Sequence, residues 1–202
     1  MLAPGHCQVE TWLVAGRSPT LQVAHLGPAC SLAGVEWGFN IDRIRLDDER
    51  VDAWGPQAKW VTELVDKRIA VGGVLGLTWR DGGPDRPLAT AYVPLSAWLG
   101  ANQQLQLNVN VGADHDVRLG HYRRWGLGAD WSATDRLTLI AERREALAQR
   151  LTRVGARWAV TPLVSVDASV GRAGETRLFA LGLNWEWERL AGWPAWPACL
   201  DT

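Results

Sequence analysis

RLFALGLNWEW (residues 177–187), together with LVSVDASVG (163–171) just before it, is the stretch that decides the fold. In the first segment Phe, Leu and Trp alternate with Ala, Gly, Asn and Glu, and in the second Val and Ala alternate with Ser, Asp and Gly. Strict alternation indicates a strand with one apolar and one polar face. A smooth apolar face opposite Asp, Glu and Gly suits a strand of about ten residues that crosses a bilayer, with lipid on one side and a polar lumen on the other.

The same alternation, bounded by turn residues, divides the chain into twelve predicted strands. They lie at 7–15, 21–27, 31–41, 54–65, 68–80, 88–99, 105–113, 122–132, 136–144, 151–160, 163–171 and 177–187. The sequence therefore predicts an all-β fold, a closed antiparallel up-and-down transmembrane β-barrel. Residues 1–188 form the barrel, and 189–202 form a C-terminal tail outside it, because Pro194 and Pro197 cannot continue a central ladder.

Connection lengths and tryptophan positions orient this predicted barrel. Short connections at 66–67, 100–104, 133–135 and 161–162 alternate with longer polar ones at 42–53, 81–87 and 114–121. Short turns are typical of the periplasmic side, so both termini are placed there. Tryptophans are expected in two interfacial girdles, Trp54, Trp79 and Trp125 at the outer end and Trp98, Trp131, Trp158, Trp185 and Trp187 at the periplasmic end. Trp37 and Trp60 are predicted nearer mid-strand.

Composition agrees with a barrel and gives no sign of a nucleic-acid-binding protein. A net charge of −1 gives no reason to expect nucleic acid as a partner. Thirteen tryptophans against two tyrosines favour a membrane interface, and a mean hydropathy of −0.11 is compatible with strands that are apolar only at every second residue. No signal peptide is visible in MLAPGHCQVE, so we interpret the chain as a mature or truncated form of an exported protein.

The alternating strands and the final LFALGLNWEW resemble those of bacterial outer-membrane β-barrel proteins, although ERLAGWPAWPACLDT follows where such chains usually stop. This resemblance implies the outer membrane of a Gram-negative bacterium, with outer-membrane lipids and the barrel-assembly machinery as partners. The terminal alternating residues that the machinery would read are Phe179, Leu181, Leu183, Trp185 and Trp187. A soluble lipocalin-like ligand-binding barrel, or a β-sandwich, would also alternate and stays open as an alternative.

The polar face of the alternating strands predicts which side chains line the lumen. Its candidate lining residues are Lys59, Glu63, Arg80, Asn108, Asn110, Arg124, Asp130, Glu142, Arg144, Arg153, Arg157 and Asp167. These residues line either a narrow pore for small polar solutes or a plugged structural barrel whose charges are paired. Glycines on the same parity keep the side-chain volume inside the barrel low and favour the pore; they are Gly72, Gly76, Gly112, Gly126 and Gly128. The near-balanced charge predicts little preference between anions and cations.

Enzymatic and metal chemistry find little support in the sequence. A membrane-embedded lipid hydrolase is the rival class, but it needs a serine beside an oriented histidine, and no motif of that kind is recognisable. We therefore expect no catalytic residues and no cofactor. Asp114, His115, Asp116 and His121 are competent metal ligands by type, but their spacing matches no established site, and we interpret the segment as a solvated loop with no metal.

Two of the three cysteines are predicted to form a disulfide. Cys7 and Cys30 both fall at periplasmic ends of predicted strands, and the periplasm is oxidising. The bridge would close a loop of roughly 24 residues. Cys199, in the tail, is expected to be free.

Overall fold

The computed structural model describes residues 2–17, 20–65, 68–118 and 120–188, and the tail with Cys199 lies outside these. Twelve strands make up almost all of this part. They are β1 (His6–Arg17), β2 (Leu21–Leu32), β3 (Val35–Leu46), β4 (Glu49–Val65), β5 (Ile69–Arg80), β6 (Leu88–Leu99), β7 (Leu105–Asp116), β8 (Gly120–Ser132), β9 (Leu137–Ala146), β10 (Gln149–Ala159), β11 (Val164–Ala173) and β12 (Thr176–Glu188). Within the described ranges no helix has the length and apolar character needed to span a bilayer.

Each strand pairs antiparallel with its neighbours in the chain, and β1 pairs with β12 to close the barrel. The closing register runs from His6 opposite Glu188 to Arg17 opposite Arg177. The predicted fold, an up-and-down antiparallel barrel of twelve strands, is confirmed. We call the end that holds His6 and Glu188 the terminal end, and the opposite end the far end.

The far-end connections are shorter than the sequence predicts. The segments 42–53 and 114–121 are not long loops, because β3 and β4 continue to a turn at Asp47–Asp48, and β7 continues to Asp116. The prediction is wrong because it relied on apolar alternation, whereas backbone pairing continues wherever a partner strand is available, whatever the side chains. The segment 81–87 remains the longer connection, so loop length alone does not orient the barrel.

The boundary between β2 and β3 also lies further along the chain than predicted. β2 runs through Pro28 to Leu32, and the turn is at Ala33 and Gly34, both at positive φ. Pro28 pairs with Val9 of β1, while the β2–β3 ladder has no pair there, as expected for a residue without an N–H. As a result Trp37 is the third residue of β3 and belongs to the terminal-end girdle.

One parity of the barrel carries the exposed apolar side chains. Leu13, Val111, Leu127 and Leu181 are each more than half exposed. In the described part, the buried hydrophobic residues are Leu2, Cys7, Ala53, Ala70, Val74 and Leu88. Apolar side chains therefore cover the outside of this barrel, the distribution of a membrane barrel.

One tryptophan, Trp98, departs from the girdle prediction, and the mid-strand tryptophan Trp60 fills a gap at a glycine. Trp98 is in register with Gln106, on the inner parity that also carries Ser96 and Asn108, so it does not belong to the outward girdle. Trp60 lies outward in β4, and its indole covers Gly73 of β5, whose missing side chain leaves room for the ring.

The structure contains the predicted Cys7–Cys30 disulfide, with the Cα atoms 4.0 Å apart. The two residues are direct register partners at the terminal end of β1 and β2. Trp187 pairs with Cys7 and Trp37 with Cys30, so the bridge lies between two girdle tryptophans on the outer parity. It joins the closing strand pair to the rest of the wall.

Candidate functional site

The inner parity of the barrel holds a set of paired charges, and most of the predicted lining residues belong to it. The ion pairs are Lys59 with Glu36 (3.5 Å), Arg80 with Asp116, Arg124 with Asp114 (2.9 Å), Arg153 with Glu142 (2.6 Å) and Arg157 with Asp167 (2.7 Å). Arg144 lies 3.5 Å from Glu142, and Asn108 donates a hydrogen bond to Asp130 at 2.9 Å. Asn110 is on the same parity, opposite Gly126. Glu63 lies outside these networks, exposed beside a register shift in β4.

On the inner side of β5 to β8, a buried charged side chain is paired with neighbouring polar and charged groups. Asp114 is 0% exposed and accepts hydrogen bonds from Arg124 Nε at 3.0 Å and Thr90 Oγ1 at 2.7 Å. The Arg124 guanidinium also lies 5.5 Å from the centre of the Tyr92 ring, within cation–π range. Charges removed from water need such partners, so this side of the interior is a closed structural network.

On the opposite side of the barrel, from β9 through β12 to β1, the inner side chains are accessible to water. On the inner parity the side chains of Arg157, Arg144 and Arg153 are 50%, 47% and 41% exposed, and that of Glu10 is 47% exposed. The acid partners Glu142 and Asp167 are less exposed, at 21% and 30%. Arginine head groups therefore extend into water-accessible space inside the barrel, while their carboxylates lie closer to the wall.

A cluster around His25 was not predicted. Its ring is buried, with Nδ1 2.8 Å from Asp42 Oδ1 and Nε2 3.5 Å from Glu10 Oε1. Trp12 stacks on it at 4.5 Å between ring centroids and 10° between planes. The available signal was parity: Trp12 is out of phase with the apolar face of β1, so it points inward.

The His25 cluster does not form a hydrolase triad. Both ring nitrogens face carboxylates, and in the described part of the chain no hydroxyl hydrogen-bonds to the ring. A general base for a serine needs one ring nitrogen turned towards the nucleophile. The cluster is an ionic contact across β1, β2 and β3.

The N-terminal segment covers part of the terminal end. Leu2 is buried, and its amide donates to Glu36 Oε2 at 2.9 Å. The Gly5 amide donates to the Ser31 carbonyl at 3.1 Å. Because Glu36 also pairs with Lys59, the Leu2 amide lies against the inner-parity charges of β3 and β4.

The inward glycines fall into two groups. A Cβ at Gly76, Gly126 or Gly128 would meet no heavy atom closer than 3.4 Å, so these positions leave interior volume. A Cβ at Gly72 would lie 2.2 Å from the Trp60 carbonyl oxygen, and one at Gly112 would lie 2.1 Å from that of Ala91. The first group clears space, whereas the second permits close approach of neighbouring strands.

The four candidate metal ligands near residue 115 are separated by strand alternation. Asp114 and Asp116 lie on the inner parity with Arg124 and Arg80. His115 and His121 are register partners on the outer parity, with stacked rings 4.2 Å apart. Over the residues that the structure describes, no group of three or more potential metal ligands comes together.

Comparison with known proteins gives one family and a set of barrels. The model of the family described as Uncharacterised conserved protein UCP029691 matches residues 2–184. No curated protein matches the chain.

Among solved structures, the KdgM porin in complex with disordered oligogalacturonate is similar at a TM-score of 0.72 and 9% identity, over 88% of this chain and 98% of that one. An outer membrane channel from Pseudomonas putida F1 is similar at 0.67 and 10%, over 93% and 97%. Outer membrane phospholipase A from Escherichia coli is similar at 0.56 and 11%, over 91% and 94%. At these identities the likeness shows a shared fold, and that fold serves both passage and catalysis.

Proposed function

Because this chain belongs to the family described as Uncharacterised conserved protein UCP029691, we propose its function from the barrel interior: it is a narrow passage for small polar solutes across the outer membrane of a Gram-negative bacterium. Outer-membrane lipids cover the apolar outer parity. The barrel-assembly machinery reads the alternating end of β12, from Phe179 to Trp187.

The observation that carries this proposal is the exposure of inner charges. Arg157, Arg144 and Arg153 point into the barrel and still present about half of their side chains to water-sized space. In a plugged barrel, inner charges would be shielded like Asp114. Twelve strands also enclose more space than eight, whose interior side chains just fill it, and less than sixteen-stranded porins.

The charge arrangement favours small anionic solutes. Although acids and bases are nearly balanced on the inner parity, the arginine head groups are more exposed than the Glu142 and Asp167 carboxylates that pair with them. A solute in the water-filled arc therefore meets three exposed guanidinium groups and one exposed carboxylate, that of Glu10. Guanidinium groups bind carboxylates and phosphates in a bidentate manner. The complex of the similarly folded KdgM porin with oligogalacturonate agrees with this preference.

Of the three classes of protein, a pore, a lipid hydrolase and a soluble lipocalin-like barrel, the pore agrees best with the interior of this barrel. A lipid hydrolase shares the fold, but His25 has carboxylates at both nitrogens. A soluble lipocalin-like barrel would keep its apolar side chains inside, whereas Leu13, Leu127 and Leu181 are exposed on the outside.

Planar-bilayer recording of the purified chain tests the proposal. We expect a small, steady conductance with a weak anion preference. Arg157→Ala should raise the conductance, because it removes the most exposed of these inner arginines, and should reduce the anion preference. The matched control is Arg150→Ala on the same strand, where Arg150 pairs with Glu145 at 2.7 Å on the outer parity.

Arg150→Ala should conduct like the wild type. A silent bilayer for the wild type and for both variants would support a plugged structural barrel and overturn the proposal.

A further inference from the structure

Three arginines lie side by side on the outer parity at the far end of the barrel. Arg177 of β12 is in register with Arg17 of β1 on one side and with Arg172 of β11 on the other. All three side chains are exposed. We call Arg17, Arg172 and Arg177 the arginine row.

Among the residues that the structure describes, nothing neutralises the arginine row. In the described part of the chain none of its three members forms an ion pair, and Glu175, in the adjacent turn, forms none with them. Like charges directly opposite each other on neighbouring strands are destabilising. The row is therefore an unfavourable arrangement unless an anion binds there.

Three other outward arginines at the far end, Arg43, Arg50 and Arg150, are neutralised by acids. Asp52 accepts hydrogen bonds from both Arg43 and Arg50, at 2.9 and 2.6 Å, and Arg150 donates to Glu145 at 2.7 Å. The arginine row differs from these in that three arginines lie side by side in register with no acid opposite any of them.

The arginine row lies just above the apolar surface. Two residues along their strands from Arg177 and Arg172 are Phe179 and Val170, which are outward and about half exposed. Two strand residues span about 7 Å. A molecule with acyl chains against Phe179 and Val170 would therefore place its polar head at the guanidinium groups.

We propose that the arginine row binds the phosphate groups of a phosphorylated glycolipid of the outer leaflet, lipid A, whose acyl chains lie on the apolar face of β11 and β12. Guanidinium groups match phosphate geometry and form strong charge-assisted hydrogen bonds with it. This assignment rests on the outer-membrane location proposed above and on the sequence prediction that both termini are periplasmic, which places the far end outward, but not on solute passage.

Titration of the full chain in neutral detergent with purified lipid A tests the assignment, with native mass spectrometry as the readout. The wild type should bind lipid A, and the Arg172→Gln/Arg177→Gln variant should bind at least about tenfold more weakly, because charge-assisted contacts to phosphate are lost. The control variant Arg43→Gln/Arg50→Gln removes two exposed outward arginines that Asp52 already neutralises, and should bind within about twofold of the wild type.

Lipid A without its phosphates should bind the wild type as weakly as intact lipid A binds the row variant. Without lipid, the row variant should unfold at the same or a higher temperature than the wild type, because repulsion is relieved, so a loss of binding is not a loss of folding. Unchanged affinity in the row variant, or equal losses in both variants, would overturn the assignment. Bilayer conductance of the row variant should match the wild type, which separates this result from the test of passage.

Discussion

Gly72→Ala tests whether the close approach of β4 and β5 depends on a missing side chain. The added Cβ would lie 2.2 Å from the Trp60 carbonyl oxygen and 3.0 Å from a Val61 methyl group. An ordinary van der Waals contact of a Cβ atom begins at 3.4 Å, so the strands must separate locally by about 1 Å. Overpacking of this kind costs about 1–3 kcal/mol, and each weakened ladder hydrogen bond adds about 1 kcal/mol. We expect Gly72→Ala to lower the free energy of unfolding by about 2–4 kcal/mol.

Gly76→Ala is the matched control, because Gly76 lies on the same strand and parity and its Cβ would meet nothing closer than 3.8 Å. It should be neutral or stabilising by up to about 1 kcal/mol, since alanine restricts the unfolded chain. Equilibrium urea unfolding in lipid vesicles, followed by tryptophan fluorescence, measures both variants. Equal midpoints for Gly72→Ala and Gly76→Ala would refute the distinction between close-approach and space-clearing glycines.

Three further predictions concern the ends of the barrel. Replacing both Cys7 and Cys30 by serine should lower the free energy of unfolding by about 3 kcal/mol, because the bridge closes a loop with a sequence separation of 23; reductant should affect only the wild type in the same urea titration. Arg43 and Arg50 lower the pKa of Asp52 from its ordinary 3.8 to about 2, so the stabilisation is complete above the unfolded pKa and is lost as pH falls through about 2. The wild type should lose more stability than Asp52→Asn between about pH 4 and pH 2, and parallel acid-unfolding curves would contradict this. Deletion of residues 189–202 should leave a folded, heat-modifiable barrel, whereas Trp187→Ala should reduce assembly in cells; the reverse pair of results would show that the assembly signal lies in the tail.

The parity of the strands could be predicted from the sequence, because a period of two assigns each side chain to one face once any strand is in phase. This is why Arg124, Glu142, Arg153 and Asp167 were placed on the same face as their partners. The Cys7–Cys30 disulfide could be predicted because both cysteines fall at ends of predicted strands on the same side of the barrel.

Turn positions and partners around the circumference could not be predicted in the same way. At Asp47 and Asp48 both faces are polar, so alternation gives no signal for where β3 ends. The contact of His25 with both Glu10 and Asp42 depends on strand register, and the half-exposure of Arg157 depends on barrel width. Local sequence patterns predict neither strand register nor barrel width, because both are set by the stagger of all twelve strands.

Liposome swelling is the most direct measurement of solute passage. Vesicles containing the folded chain should swell in small polar solutes and faster in a small monocarboxylate than in an amine of equal size, because the exposed inner arginines Arg144, Arg153 and Arg157 outnumber the exposed acid Glu10. Heat-unfolded protein provides the baseline. Swelling no faster than this baseline, for every solute small enough to enter a twelve-stranded barrel, would contradict the account.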